Sequence, residues 1–257
     1  MSLLEGKNIS VYFGGVRALH EINFSVDEGE ILGLIGPNGA GKTTLLNGIS
    51  GLCRLTDGTI LYAGNTISGK RPHQIARMQI ARTFQIVNPF KRLTVIENAA
   101  VGAMFCGGRN VTRHQVLKPA QEALDLVGML SKADAYPEQL NIAQLKRLEL
   151  ARALAMKPRL LLLDEVMAGL NLTEIENSIE LIKRINQKLN ITIVIVEHVM
   201  KAIMSICHRI MVLHFGEKLA DGVPAEVTQD AKVIRAYLGQ RFADRYYNNQ
   251  NPRGRQP

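Results

Sequence analysis

The 257-residue chain has no tryptophan, only three cysteines and no long apolar run. Cys53, Cys106 and Cys207 form an odd set with no CxxC or His-paired spacing, which excludes a disulfide framework and a zinc site and suits a reducing cytoplasm. The longest apolar stretches, Leu160–Leu163 and Ile191–Val196, fall far short of the ~18 residues a membrane span needs. The opening Met1-Ser2-Leu3-Leu4-Glu5-Gly6 has no basic region followed by a long apolar segment, so no secretory signal is expected. The net charge is +8, but the basic pairs Lys70-Arg71, Lys91-Arg92 and Lys146-Arg147 are scattered, without interleaved aromatics or a recognition-helix pattern. They read as solvated faces, and no nucleic-acid partner is expected. A hydrophobic content of 46% is enough for one large α/β domain, or for a core with a smaller second unit.

What is present is a phosphate loop. Residues 36 to 43 read GPNGAGKT, matching GxxxxGK(S/T), between the apolar run Ile31-Leu32-Gly33-Leu34-Ile35 and Thr44-Leu45-Leu46-Asn47. Strand, glycine turn and helix follow in that order. Gly36, Gly39 and Gly41 allow successive backbone N–H groups, with Pro37, Asn38 and Ala40 between them, to curl around a di- or triphosphate. The helix that follows presents its positive dipole end to the same anion, through Thr43 and Thr44. Lys42 neutralises the β- and γ-phosphates in this reading, and the Thr43 hydroxyl completes a Mg²⁺ shell.

Along the rest of the chain, short β-type segments at Asn8–Phe13 and Ile22–Val26, separated by Gly14-Gly15, predict antiparallel strands before residue 35. Asp57-Gly58 marks a turn into a strand over Thr59–Ala63. The segment from about Pro72 to Tyr136 reads as mostly helical. Within it Ala120, Ala123, Leu124, Val127 and Leu130 recur at helical spacing behind Pro119, taken as a first helical position. Leu160–Leu163 predicts a buried strand. Asn171 with Glu174 predicts a capped helix whose buried face is Ile175, Ile179, Ile182, Ile185 and Leu189. Ile191–Val196 reads as a central strand, Ile210–Leu213 as one more, and the tail beyond about Gly239 as polar.

The strand Leu160–Leu163 delivers Asp164 and Glu165 to its C-terminal end. Downstream of a complete phosphate loop, Asp164 is expected to face Mg²⁺, and Glu165 to project toward the γ-phosphate and polarise an attacking water. His198, after the strand Ile191–Val196 and Glu197, is expected at the edge of the same site, on the γ-phosphate or the lytic water. Gln85, joining the α/β part to the helical segment, offers an amide to Mg²⁺ and the water. His20, His73, His114, His208 and His214 have no metal-ligand spacing.

Together GPNGAGKT, RTFQ at 82 to 85, LNIAQ at 140 to 144, LLLLDE at 160 to 165, AGLN at 168 to 171 and His198 resemble the nucleotide-binding subunits of ATP-binding cassette (ABC) transporters, over about residues 3 to 239. FGG at 13 to 15, RTFQ, AGLN and Glu197-His198 are more narrowly similar to the branched-chain amino acid importer group. The resemblance implies a P-loop NTPase core of the ABC ATPase type, with an N-terminal antiparallel β subdomain, a helical subdomain inserted at about 86–158, and a polar tail at 240–257. It implies Mg²⁺ and ATP as cofactors, with Phe13 stacking on adenine, and ATP hydrolysis powering uptake of branched-chain amino acids or related small amides. The implied partners are a second copy or a related ATPase subunit, and integral-membrane permease subunits on the inner face of the membrane, with no direct contact to the solute. A soluble ABC-type ATPase, an exporter subunit and a noncatalytic regulatory subunit are the alternatives.

The signature departs from the family's LSGGQ at three positions, with Asn141, Ile142 and Ala143 before Gln144. In the family this segment of one subunit closes over nucleotide held by the other, so Asn141 and Gln144 are the expected contacts to the partner's nucleotide. Ile142 in place of glycine predicts a looser approach there. Val166 likewise stands where the family commonly has a proline, which predicts an altered local turn with both carboxylates kept.

Overall fold

The computed structural model describes residues 1–106 and 112–238, with the tail expected at 240–257 lying outside them. Gly14, at a left-handed φ of 56°, turns β1 (Ser2–Phe13) back into β2 (Val16–Asp27) as an antiparallel hairpin. Next come β3 (Ile31–Ile35) and α1 (Lys42–Ile49), then β4 (Asp57–Tyr62) and β5 (Asn65–Thr66), then α2 (Pro72–Arg77) and β6 (Ile80–Arg82). A helical block follows, made of α3 (Val95–Cys106), α4 (Arg113–Leu126) and α5 (Ile142–Leu154). The chain continues through β7 (Leu160–Asp164), α6 (Leu172–Leu189), β8 (Thr192–Val196), α7 (Met200–Ile206), β9 (Arg209–His214), β10 (Glu217–Gly222), α8 (Pro224–Val227) and α9 (Ala231–Leu238).

Two sheets result. The smaller is antiparallel in the order β2-β1-β4-β5, and the larger runs β10-β9-β3-β8-β7-β6. In the larger sheet every pairing from β9 to β6 is parallel, and β10 closes one edge as an antiparallel hairpin with β9. Its strands β3, β7 and β8 are buried at every position because both faces are covered, as parallel sheets require. The two-residue period decides which core each side chain enters. Ile31, Leu161, Leu163, Ile193 and Ile195 pack toward the helical block. Leu32, Leu34, Leu160, Leu162, Val194 and Val196 pack toward α1 and the small sheet.

The helical reading of residues 72 to 136 needs three corrections. β6 lies within that stretch and pairs in parallel with β7, an edge strand too short for periodicity to reveal. Pro119 sits inside α4 rather than at its start. The helix begins six residues earlier, where Thr112 and Gln115 form a reciprocal capping box that a first-turn proline is not needed to replace. Leu130, expected on the buried face, lies beyond the end of α4 and is exposed.

The cap predicted for α6 is present, with Asn171 Oδ1 accepting from the Glu174 N–H at 3.0 Å. Ile175, Ile179, Ile182 and Ile185 are buried on it, each contributing roughly 1.5–3 kcal/mol. Leu189 is exposed at the helix end, and Asn186 is buried instead. Its amide donates to Gly29 O and Ile191 O, both at 2.8 Å, tying the helix to the starts of two strands. Among the described residues Cys53 and Cys207 are free thiols, and no helix is long and apolar enough to cross a membrane.

Candidate nucleotide site

Because β6, β7, β8, β3 and β9 are parallel, their C-terminal ends meet along one edge, where binding sites of such sheets form. The loop after β3 bends through Gly36, Gly39 and Gly41 at φ 151°, 78° and 103°. A Cβ at Gly36 collides with Leu213 O, and one at Gly41 falls 2.6 Å from Ala18 O, so close backbone packing as well as dihedral angle demands glycine. Gly41 caps α1 without any side-chain hydrogen bond, and no acidic residue occupies the first turn. The first N–H groups of α1 are therefore left for an anion.

Within that loop Ala40 is buried, its N–H reaching Pro37 O at 3.2 Å and its carbonyl accepting from Gly216 at 3.1 Å. Asn38 and Thr43 are exposed, and Thr44 is half-buried. Lys42 is buried, and its ammonium donates to Gly36 O at 2.7 Å and Pro37 O at 2.9 Å. Burial pulls its pKa below the usual lysine value, while the charges of Glu165 and Asp164 oppose that shift. Phe13 is exposed at the end of β1, in the hairpin whose Ala18 packs on Gly41.

At the end of β7, Glu165 adopts φ 50°, a left-handed value unusual for a residue with a side chain. Its carboxylate is held on both oxygens. His198 Nε2 lies 2.9 Å from Oε1, and Gln85 Nε2 donates to Oε2 at 2.6 Å. A carboxylate only accepts, so the His198 nitrogen facing it carries the proton. Gln85 and His198 are thus brought onto Glu165 across 80 and 33 positions of sequence. Each carboxylate oxygen retains lone-pair capacity for a water.

Asp164 is buried and pairs with Arg82, whose Nη2 donates to Oδ2 at 2.9 Å. Arg82 also donates to Asn47 Oδ1 at 2.7 Å and Ser50 Oγ at 2.9 Å on α1, and stands 5.1 Å over the Phe84 ring. It bolts β6, α1 and β7 together, a role its sequence neighbourhood does not signal. Glu197, which the sequence offers only as the neighbour of His198, likewise has a role its surroundings in the sequence do not signal. It is buried, accepts from the Met167 N–H at 2.7 Å, and burial pushes its pKa up to about 7. From the C-terminal side, Tyr237 of α9 stands close to the Gly36 backbone.

The signature segment uses its polar side chains on itself. Asn141 Oδ1 accepts from the Gln144 N–H at 2.9 Å, and Gln144 Oε1 from the Asn141 N–H at 3.1 Å, a capping box at the start of α5. Ile142 is exposed at the first turn. Beside α5 a groove of about 480 Å³ is lined by Phe84, Ile86, Phe90, Arg152 and Met156.

The sequence matches the ABC transporter family over residues 19–168, more than half of the chain. This chain is an ABC transporter ATP-binding cassette. A second match, to the branched-chain amino acid ATP-binding cassette transporter family, covers residues 217–243 of the cassette. The high-affinity branched-chain amino acid transport ATP-binding protein BraF of Pseudomonas aeruginosa is 37% identical, across 93% of this chain and 98% of its own length. LivG of Escherichia coli, described in the same words, is 38% identical over the same shares. The ADP conformation of an ATP-binding cassette of an ABC transporter superimposes with a TM-score of 0.85 at 28% identity, over 93% of this chain and 100% of the other. A dimeric post-hydrolysis cassette bound to ADP and Pi gives a TM-score of 0.77 at 28% identity, over 86% of this chain and 98% of the other. The cassette binds ATP and hydrolyses it to power transport.

Proposed function

We propose that this cassette drives uptake of branched-chain amino acids or related small amides, docked on permease subunits at the inner face of the membrane. The observation that carries this reading is the match of residues 217–243 to the branched-chain family, outside the stretch that ABC cassettes share generally, together with BraF and LivG along nearly their whole length. The working unit spans residues 3–239, with a helical subdomain at 86–158.

The nucleotide lies on the bare N-terminus of α1, its phosphates received by the backbone of residues 36 to 41 with Thr43 and Thr44, and by Lys42 released from Gly36 O and Pro37 O. Phe13 stacks on the adenine. Thr43, Gln85 and Asp164 would hold Mg²⁺, an assignment supported by their chemistry: a hydroxyl, an amide oxygen and the Asp164 oxygen that Arg82 leaves free suit a hard ion that also takes phosphate ligands. The ion would supply charge neutralisation along the phosphates. Glu165 orients the attacking water, and its two-sided hold by Gln85 and His198 supports that role because preorganised carboxylates need little rearrangement at the moment of reaction. Two such chains, identical or related, sandwich the nucleotides, with Asn141 and Gln144 at the start of α5 approaching the partner's.

The groove of Phe84, Ile86 and Phe90 receives the permease, since these apolar side chains are exposed beside Gln85. The test is purification of the tagged chain from detergent-treated membranes, followed by ATP-driven uptake of labelled leucine into vesicles carrying the captured complex. Capture of an integral-membrane permease with leucine uptake is the expected result. A chain that stays off membranes and binds nucleic acid with steep salt dependence overturns the reading.

A further inference from the structure

The sequence treats Lys146 as one half of a solvated basic pair, but its side chain is half-buried and points into the site. Its ammonium donates to Gln85 O at 2.9 Å and to Glu165 O at 3.2 Å. Its neighbour Arg147 turns the other way, reaching Val127 O at 3.4 Å. Lys146 is the first of three charged residues at helical spacing on one face of α5. Glu149 accepts from the Phe84 N–H at 2.8 Å, and Arg152 donates to Asn88 O at 3.2 Å. The segment 84–88 is therefore fastened to α5 at three backbone groups. Only Lys146 also reaches across to the end of β7.

Glu165 needs such an attachment. A residue with a side chain in the left-handed region is strained, and the conformation persists only where its surroundings over-determine it. Its N–H is tied to Val196 O at 2.9 Å, and its carbonyl accepts from Ala168 at 3.2 Å as well as from Lys146. Removing the ammonium leaves the carbonyl side of Glu165 with a single turn bond, and frees the Gln85 backbone from α5.

We propose that Lys146 is a positioning residue for hydrolysis, its ammonium locking the Glu165 and Gln85 backbones to α5 so that the water-orienting carboxylate moves with the helical block. This rests on the assignment of Glu165 as the water-orienting group. The link gives the groove of Phe84, Ile86 and Phe90 a direct route to the carboxylate. A shift of α5 by an ångström carries the Glu165 carbonyl with it, and displacements of that size are worth up to about 100-fold in rate.

The test uses the full-length chain and compares Lys146→Met, Lys146→Arg and Glu165→Gln for single-turnover hydrolysis at saturating Mg·ATP, affinity for a fluorescent ATP analogue, and melting midpoint. Lys146→Met is expected to slow hydrolysis about 10- to 100-fold with nucleotide affinity unchanged and melting within a few degrees of the parent. Lys146→Arg, which keeps charge and donors, is expected to recover most of the rate. Hydrolysis at the parent rate in Lys146→Met overturns the proposal, as does a fall in rate that only parallels lost affinity and lost stability. If Lys146→Met does not fold, Lys146→Gln takes its place, and failure of both to fold overturns the proposal by marking Lys146 as a determinant of folding. Glu165→Gln separates the two assignments. If it abolishes turnover while Lys146→Met does not, only Lys146 is wrong, whereas normal turnover in Glu165→Gln removes both.

Discussion

Two helix N-termini of this cassette face nucleotide in our reading, and they are built in opposite ways. At α1 the cap is a glycine in the left-handed region, no side chain satisfies the first N–H groups, and no acidic residue competes for them. At α5 the first turn is closed by the reciprocal bonds of Asn141 and Gln144, and Ile142 projects from it. The first end has unmet hydrogen-bonding capacity that a phosphate can fill. At the second, Asn141 and Gln144 already meet each other's N–H groups with their own side chains. In that reading one sequence divides its phosphate chemistry unequally, with tight capture at its own loop and a looser approach toward a partner's.

The largest effect that sharpens this contrast is Lys42→Ala. Loss of the one buried ammonium at the loop is expected to cost about 2–5 kcal/mol of nucleotide binding, a weakening of roughly 30-fold or more in a fluorescent-ATP titration. Unchanged affinity breaks the claim that α1 is the capturing end.

Next is the carboxyl beneath that site. Glu197 carries a folded-state pKa of about 7 and faces Glu165, Lys146 and the Met167 and His198 N–H groups. Its pKa is raised above the unfolded value near 4.5, so the stability it contributes is complete below pH 4.5 and is lost as pH rises through 7. Glu197→Gln keeps an acceptor for the Met167 N–H without the charge. Urea unfolding at pH 5 and pH 8 is expected to give a variant equal to the parent at pH 5 and more stable at pH 8, by up to about 3 kcal/mol. A constant difference at both values assigns the effect to packing instead.

Smaller still, Asn141→Ala is expected to cost about 1 kcal/mol in unfolding free energy while ATP affinity at the chain's own loop stays the same. A matching loss of that affinity erases the distinction between the two ends. The smallest expected effect is a gain. Ile142→Gly with Ala143→Gly opens the first turn of α5, and nucleotide-dependent dimerisation followed by light scattering is expected to tighten several-fold. No tightening places the limit on the partner's approach somewhere other than these two side chains.

How far the sequence could be read follows from where each interaction lives. The loop at 36 to 43 and the cap at Asn171 are local, so spacing alone announces them. Asp164, Glu165 and His198 were legible because strand ends of a parallel sheet converge, and the apolar runs before them mark those ends. The bonds that join Gln85, Glu165 and His198 span long stretches of chain, and a linear pattern could offer candidates for them without the geometry. The roles of Arg82, Lys146 and Glu149 are not legible because charged residues on a helix or a short edge strand look solvated until a neighbour from another part of the chain covers them. The start of α4 was missed because Pro119 is a stronger local signal than the Thr112 and Gln115 pair that holds the helix end.

The parallel order of the large sheet has a practical corollary. With nucleotide chemistry gathered at one rim, the turns at the far rim, around Lys157 and Asn190, both left-handed in φ, stand apart from it. A dye or affinity handle placed there reports on the cassette from a distance, and leaves its working rim untouched.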